Sequence, residues 1–512
     1  MLDTPICDFV NDYIASDTSR LHMPGHKGAP FLGPEAIDIT EIKGADALYE
    51  AGGIIAESEK NASELFGTYR TFYSTEGSSH VIRAMLMLAG QCFLRHDKAR
   101  RFTVLAARNV HKAFIHALAL LDMDVIWLYP EQENSGSICS CRISPKQLEE
   151  KLLQCCQSEH PADRDSVPDR SGQGTDAAGS FSACPGLPDA VFITSPDYLG
   201  NLADIRDLSE VCARFGLPLL VDNAHGAYLH FLKDPSHPMD LGAAMCCDSA
   251  HKTLPVLTGG AYLHIGADPA LKVPQIREQL AAGAKDALSL FGSSSPSYLI
   301  LQSLDLCNRY LSCGYKKRLD DTIQSVDQLK KRISDLGIPV LNTEPLKLVL
   351  SLAPSGISGE SAAELLRKYK AECEFADAEY VVLMLTPENT KQDFERILAA
   401  CAELSQLFKK RSGLPGTSTD TGNADGKMPA NVPASSVLIR LPVLEKACSI
   451  REAVFAPAEA VPASKASGRI CALPTVSCPP AVPIAVSGER FNDEAVRLLD
   501  VYHIRTVSVV KE

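Results

Sequence analysis

A lysine stands at position 252 inside DSAHKTLPVLTGG (248–260), where the other residues are mostly small or apolar and no acidic residue occurs among the ten that follow it. Lysine is almost never fully buried unless it is paired or chemically used. An ammonium that loses its solvation also loses basicity, and the neutral amine becomes a nucleophile toward aldehydes. Taken alone, the stretch also fits a lysine that snorkels from a loop into water. His-Lys occurs three times, at His26-Lys27, His111-Lys112 and His251-Lys252. Only Lys252 follows a strand end with a serine, Ser249, beside it and a carboxylate in range.

That carboxylate is Asp222 in LLVDNAHGAY, where an apolar run meets an acid directly. A carboxylate at a buried strand end needs a cationic or N–H partner, so Asp222 binds a metal, orients His225, accepts turn amides or meets a protonated ring nitrogen. A third stretch, TFYSTEGSSHVIRAML, joins a short apolar run to a helical pattern through Gly77, Ser78 and Ser79. Hydroxyls and free backbone N–H groups at a helix start suit an anion such as phosphate, although an ordinary serine cap reads the same way. In an open α/β sheet, ligands bind beyond the carboxyl ends of strands, and all three stretches lie at such ends. An anion cup, a buried carboxylate and a nucleophilic lysine are together the set that pyridoxal phosphate requires: Ser78, Ser79 and Ser249 for its phosphate, Asp222 for its ring nitrogen, Lys252 for its aldehyde.

The elements that must position these groups follow from periodicity. Between about 70 and 265, short apolar runs (TFYST, FTVLAA, VIWLY, AVFIT, PLLVD, AYLHI) alternate with helical patterns at about 78–94 and 111–121. This predicts an α/β fold with a mostly parallel sheet covered on both faces. LPVLTGGAYLHI reads as a further apolar run, with room for one more crossover and strand before it. Long helices are expected over 297–336 and a smaller α+β unit over 337–410. Short strands, among them SSVLIRL and IRTVSVV, are expected in the C-terminal piece. The Gly/Pro/Ser-rich stretches 158–188 and 411–436 read as a surface insertion and an interdomain linker. The expected division is 1–45, an N-terminal segment contributing to the active site; 46–300, the large domain; 301–410, the small domain; 411–436, the linker; and 437–512, a C-terminal α+β domain.

At 512 residues the chain is too long for one ordinary core. Its 63 acidic and 50 basic residues give a net charge of −13, which speaks against a nucleic-acid partner and favours cationic small molecules. Seventeen scattered cysteines do not form the framework of a small secreted domain. Neither Cys139, Cys141, Cys155, Cys156 and His160 nor Cys246, Cys247 and His251 show paired C-x-x-C spacing, so thiols rather than a metal are expected. MLDTPICDFVNDY has no basic region before an apolar run, and no stretch is long enough to span a bilayer. A cytoplasmic protein without a membrane partner is the expectation.

MPGHKG (23–28), TEGSSHVIRA (75–84), VDNAHGAYLHF (221–231), SAHKTLPVLTGGAYLHI (249–265) and FGSSSPSY (291–298) resemble, in order, the motifs of the Orn/Lys/Arg decarboxylases. These are fold type I pyridoxal-phosphate enzymes of the aspartate aminotransferase superfamily. The resemblance covers roughly 5–410, and GRICALPTVSCPPAVPIAVSGE (468–489) is similar, more weakly, to the family's C-terminal domain. It implies Lys252 as the Schiff-base lysine and Asp222 as the partner of the pyridine nitrogen. Gly77, Ser78, Ser79 and Ser249 would form the phosphate site, His111 would stack on the ring, and Ala224, with His225 beside it, would line the opposite face. His251 would move a proton at the substrate α-carbon. Ser293 and Ser294 would reach the phosphate of a neighbouring subunit, which implies a homodimer with shared sites.

The implied activity is loss of CO2 from arginine, lysine or ornithine, on the way to polyamines. Transamination, aldol cleavage and a non-catalytic regulator on the same fold are the alternatives, although Arg367, a candidate carboxylate-binding arginine, has no supporting motif. Glu76 and Asp197 depart from the family pattern, which usually has asparagine and threonine there. Glu41, Asp46, Glu50, Glu57 and Asp197 are all available for the distal cation of the substrate, and the sequence does not rank them.

Overall fold

The computed structural model describes residues 2–93, 100–130, 138–157, 184, 186–267, 274–352, 356–412, 440–475 and 482–512. Two helices, α1 (Pro5–Ala15) and α2 (Ile54–Phe66), come first. The alternating region then runs β1 (Arg70–Ser74), α3 (Gly77–Phe93), β2 (Thr103–Ala107), α4 (Lys112–Leu121), β3 (Asp124–Leu128), α5 (Pro145–Gln157) and β4 (Ala190–Thr194). It continues as α6 (Ile205–Arg214), β5 (Leu219–Asp222), β6 (Met245–Asp248), α7 (Ala250–Thr253), β7 (Ala261–Ile265) and α8 (Pro274–Phe291). The seven strands form one sheet in the order β1-β7-β6-β5-β4-β2-β3, in which β7 alone runs against its neighbours.

Side chains alternate across this sheet as strand geometry requires. Val104, Ala106, Ala190, Phe192, Leu220, Met245 and Cys247 join the core under α3, α4 and α8. Leu105, Ala107, Val191, Ile193, Leu219, Val221 and Cys246 join the core under α5 and α6. Strands buried on both faces give near-continuous apolar runs, which is why the runs were legible. The expected mostly parallel sheet is therefore present. One reading needs correction: in LPVLTGGAYLHI only AYLHI is strand, while 254–260 is a turn in which Leu257 is exposed and Gly259 takes a φ of +103°. A Cβ on Gly259 would stand 2.7 Å from the Thr75 carbonyl oxygen, so glycine is required there on both counts.

Beyond the sheet come α9 (Tyr298–Ser312) and α10 (Tyr315–Asp335). Tyr298 to Leu319 pack with α1 and α2, whereas Val326, Leu329 and Ile333 of α10 enter the core of a smaller unit. That unit contains β8 (Lys347–Ser351), α11 (Gly359–Lys368), β9 (Phe375–Ala376), β10 (Tyr380–Met384) and α12 (Lys391–Ser412), with an antiparallel sheet β8-β10-β9. The C-terminal part holds β11 (Glu445–Lys446), α13 (Ile450–Phe455), β12 (Ala458–Pro462), β13 (Glu489–Arg490), α14 (Asp493–Val501) and β14 (Thr506–Val510). Within IRTVSVV, Thr506–Val510 forms β14. Of SSVLIRL, residues 435–439 lie outside the described residues, and Arg440 and Leu441 are not in a strand. Most of 158–188 and of 411–436 also lies outside them, although Cys184 and Leu187 pack under α5 and α6, and α12 runs on to Ser412.

The C-terminal part is fastened to the sheet by a charge pair. Arg108, just beyond β2, is fully buried, stacks at 4.8 Å on Trp127 and makes two 2.7 Å hydrogen bonds to the Glu489 carboxylate. Removing one partner of such a pair strands the other charge and costs about 3–5 kcal/mol. Arg108→Met and Glu489→Gln are each expected to lower the urea midpoint clearly. Combining them should cost less than the sum, which a double-mutant cycle would read directly.

Candidate active site

Five strands deliver their carboxyl ends to one cavity of about 360 Å³, within the usual size of a cofactor pocket. Gly77, Ser78 and Ser79 come from the β1–α3 junction, Asn109 and His111 from beyond β2, and Thr194, Pro196 and Tyr198 from beyond β4. Asp222, Ala224 and His225 follow β5, and Ser249, His251 and Lys252 follow β6, with Glu76, Cys139, Thr258 and Gly259 completing the wall. The three stretches singled out in the sequence thus share one cavity. Among the described residues, none of 1–45 lines it, and neither Lys27 nor Lys112 does.

The anion cup is built by a short turn. Gly77 takes a φ of +73° and its N–H is spent on the Gly259 carbonyl at 2.7 Å, so the next amides and the two serines face the cavity. Ser249 Oγ donates to Ser78 Oγ at 2.8 Å, which ties the lysine loop to the cup. Behind it, His80 bridges the Ser74 hydroxyl and the Leu288 carbonyl, each at 2.7 Å, and burial lowers its pKa. Ser293 and Ser294 do not line the cavity of their own chain. Instead the Ser293 N–H donates to Glu76 Oε1 at 2.5 Å on the rim.

Asp222 is opposite Thr194 on one neighbouring strand and Cys247 on the other. Its Oδ1 accepts the Ala224 N–H at 3.2 Å and the Cys247 thiol at 3.5 Å, which aims the carboxylate from a site only 3 % exposed. Lys252 Nζ lies 3.0 Å from His225 Nε2. Burial drives the His225 pKa well below the usual histidine value, and the cations Lys347 and Lys252 push the same way, so the ring is neutral and its Nε2 accepts. His225 Nδ1 is buried without a partner. His111 caps α4, accepting the Ala113 N–H at Nδ1, yet its ring stays open to the cavity. Crowding by protein lowers its pKa, Asp222 raises it and Lys252 lowers it. His251 hydrogen-bonds the Gly260 carbonyl at 2.9 Å, and burial lowers its pKa.

One supporting residue was missed by sequence reasoning although it opens the lysine stretch. Asp248 is fully buried; its Oδ1 accepts from Asn223 Nδ2 at 2.6 Å and its Oδ2 faces His237 Nε2 at 2.9 Å and His264 Nε2 at 3.2 Å. Because His237 Nδ1 accepts the Met239 N–H, its Nε2 carries the proton given to Asp248. Cys246 belongs to this cluster rather than to one with Cys247 and His251. The network locks the Asp222 loop to the Lys252 loop. Burial opposes the charge, but His237 and His264 hold the Asp248 carboxyl well below the usual carboxylate range. A depressed carboxylate pKa gives stability that is present above the unfolded value near 3.9 and lost as pH falls below it. Asp248→Asn is expected to cost roughly 2–4 kcal/mol at pH 7. The gap to wild type should narrow below about pH 4, as urea melts across pH would show.

Of the acidic candidates for a substrate cation, Asp46 accepts N–H groups of Ala47, Gly52, Gly53 and Ile55; burial raises its pKa, but these bonds together hold it down. Asp197 is buried under Ser140 and Asn201 and lines an adjoining cavity. None of the five lines the main cavity; Glu76 does.

A seven-stranded sheet of this order, with lysine, aspartate and serine cup at its carboxyl edge, is the large domain of the type I fold. Its fold is similar to the lysine decarboxylase LdcF of Francisella novicida (TM-score 0.74, 15% identity, 99% of this chain and 81% of that one). It is also similar to lysine decarboxylase A of Pseudomonas aeruginosa (TM-score 0.72, 17% identity, 99% and 80%). The family model described as Orn/Lys/Arg decarboxylase, major domain, matches residues 4–350, and that of the C-terminal domain matches 438–506. The chain belongs to the Orn/Lys/Arg decarboxylase family. Among its relatives are arginine decarboxylases of Bacillus subtilis (27% identical; 96% of this chain, 92% of the relative) and Halalkalibacterium halodurans (28% identical; 96% and 91%). Decarboxylation of a basic amino acid is the activity this membership carries.

Proposed function

We propose that the chain is a pyridoxal-phosphate-dependent decarboxylase of arginine, lysine or ornithine, and that Lys252 carries the cofactor. The observation that supports this most is the convergence of Lys252, Asp222 and the Ser78/Ser79/Ser249 cup on one cavity. The donor set fits the group. The cup offers hydroxyls and helix-start amides to a phosphate, Asp222 offers a fixed carboxylate to a pyridinium, and Ala224 offers a small surface for a ring. When bound, the cofactor supplies an electron-accepting ring for the pair left behind as CO2 departs.

The protein's own part is orientation and charge placement. Asp222 would present its carboxylate to the ring nitrogen. His111 sits across the cavity wall as a neutral imidazole suited to stacking. His251, neutral and on the same turn as Lys252, is the candidate for returning a proton to the α-carbon. The neutral His225 gives Lys252 an acceptor that adds no positive charge. Choosing decarboxylation over other bond cleavages would fall to the residues that orient the substrate carboxylate in the cavity.

A homodimer in which Ser293 and Ser294 reach the partner's phosphate, a division into an N-terminal segment (1–45) that does not line its own chain's cavity, a large domain (46–300), a small domain (301–410), a linker (411–436) and a C-terminal domain (437–512), and a cytoplasmic location complete the proposal. Among the described residues no helix is long and apolar enough to cross a membrane. The test is CO2 release by the purified holoenzyme from each of the three amino acids. Release from one or more is expected, and a cofactor-loaded protein releasing none would refute the reading. Glu76 adds a smaller expectation. It places a carboxylate beside the phosphate cup, so Glu76→Gln should tighten pyridoxal phosphate severalfold, as fluorescence titration of the apoprotein would measure.

A further inference from the structure

Lys347 opens β8 in the smaller unit and is 1 % exposed, although its side chain ends in a cation. Its Nζ donates to the carbonyls of Asp197 at 3.1 Å and Tyr198 at 3.3 Å. Its stem lies on Gly200, where a Cβ would come within 2.8 Å of Lys347 Cδ and where φ is +86°. The neighbouring Glu344 N–H donates to the Gly200 carbonyl at 2.8 Å, and the Glu344 carboxylate accepts from the Tyr228 hydroxyl. Residues 344–347 therefore grip two large-domain loops, the one after β4 and the one after β5. The first loop carries Pro196 and Tyr198 into the cavity wall, and the Tyr198 ring meets His225 edge-on at 5.6 Å. His225 in turn holds Lys252. Packing alone would be served by an apolar side chain, without the desolvation that a buried ammonium entails.

We propose that Lys347 is a positioning residue for the reaction: it fixes the Asp197–Tyr198 backbone against His225 and makes the neighbourhood of Lys252 unfavourable to a second positive charge. This rests on Lys252 being the reactive lysine. The groups that interact with Lys252 are His225 from the loop after β5, His111 from the start of α4, His251 from α7 and Lys347 from β8, and Asp222 at the end of β5 lines the same cavity. Burial lowers the Lys347 pKa and Lys252 repels it, while the Glu344 and Asp197 carboxylates support its charge. A desolvated lysine beside another cation is a known route to a reactive amine.

The experiment acetylates the full-length apoprotein with acetic anhydride across pH 6 to 10 and follows the Lys252 peptide by mass spectrometry. Lys347→Met is expected to move the midpoint of Lys252 reactivity up by roughly one pH unit, and Lys347→Arg to leave it near wild type. Should the methionine variant fail to fold, Lys347→Gln, which is neutral but keeps an N–H donor on its side chain, carries the same expected rise. An unchanged midpoint in the folded neutral variants overturns the proposal. Peptide mapping of the borohydride-reduced wild-type holoenzyme separates the two ideas. An adduct away from Lys252 overturns the underlying reading, whereas an adduct on Lys252 with no shift overturns the role of Lys347 alone.

Discussion

Lys252→Ala is expected to abolish covalent retention of pyridoxal phosphate and to lower kcat/KM for decarboxylation by roughly a thousandfold or more. That corresponds to about 4 kcal/mol of transition-state stabilisation. The expectation follows from position: among the described residues Lys252 is the lysine that lines the cavity, which it shares with Asp222 and the serine cup, and it is held by His225. Lys252→Arg sharpens the result. Arginine keeps a cation near His225 but has no amine to attach an aldehyde, so it should resemble alanine in retention. Dialysis followed by absorbance and mass spectrometry reads retention, and CO2 release reads the rate. A Lys252→Ala protein that still yields a borohydride-stable adduct, or keeps its activity, would place the chemistry elsewhere.

What the sequence revealed and what it hid divide along physical lines. The sheet was legible because its central strands are buried on both faces and so appear as unbroken apolar runs between helical patterns. Lys252, Asp222 and the Gly77–Ser79 turn were legible because each departs from its setting: a cation among small residues, an acid at the end of a strand, a glycine and two serines at a helix start. Strand β6 was harder, since MCCD is short and rich in sulfur rather than in β-branched residues. Asp248 stood in plain view, but its partners Asn223, His237 and His264 come from three other segments, and only the folded sheet gathers them. Tyr198, Thr194 and Asn109 line the cavity without any local anomaly to mark them. Lys347 is farther still, about 150 residues from the carbonyls it binds. Local pattern exposes the groups that carry chemistry, whereas the groups that hold them depend on contacts whose sequence separation erases the signal.

Asp222→Asn is expected to lower kcat by roughly 10²–10³ while leaving the fold intact. The substitution preserves shape and one acceptor, so the Ala224 N–H and the Cys247 thiol keep a partner at Oδ1 and the β5 terminus keeps its geometry. The charge is removed, and the second oxygen becomes an NH2 donor. If Asp222 acts by holding negative charge against a ring nitrogen, its removal weakens stabilisation of the electron pair left by CO2, and the loss falls on kcat rather than on KM. A purely structural aspartate predicts the reverse pattern: a lowered melting temperature, with kcat restored to near wild type once the protein is folded and loaded. Asp222→Ala separates the contributions further, because it also strands the Ala224 N–H and should cost about 1–3 kcal/mol of stability beyond the asparagine variant. Steady-state kinetics with saturating cofactor, set beside thermal melts of both variants, distinguish the two patterns. An asparagine variant with wild-type kcat would remove Asp222 from the chemistry and leave it as a cap on the strand.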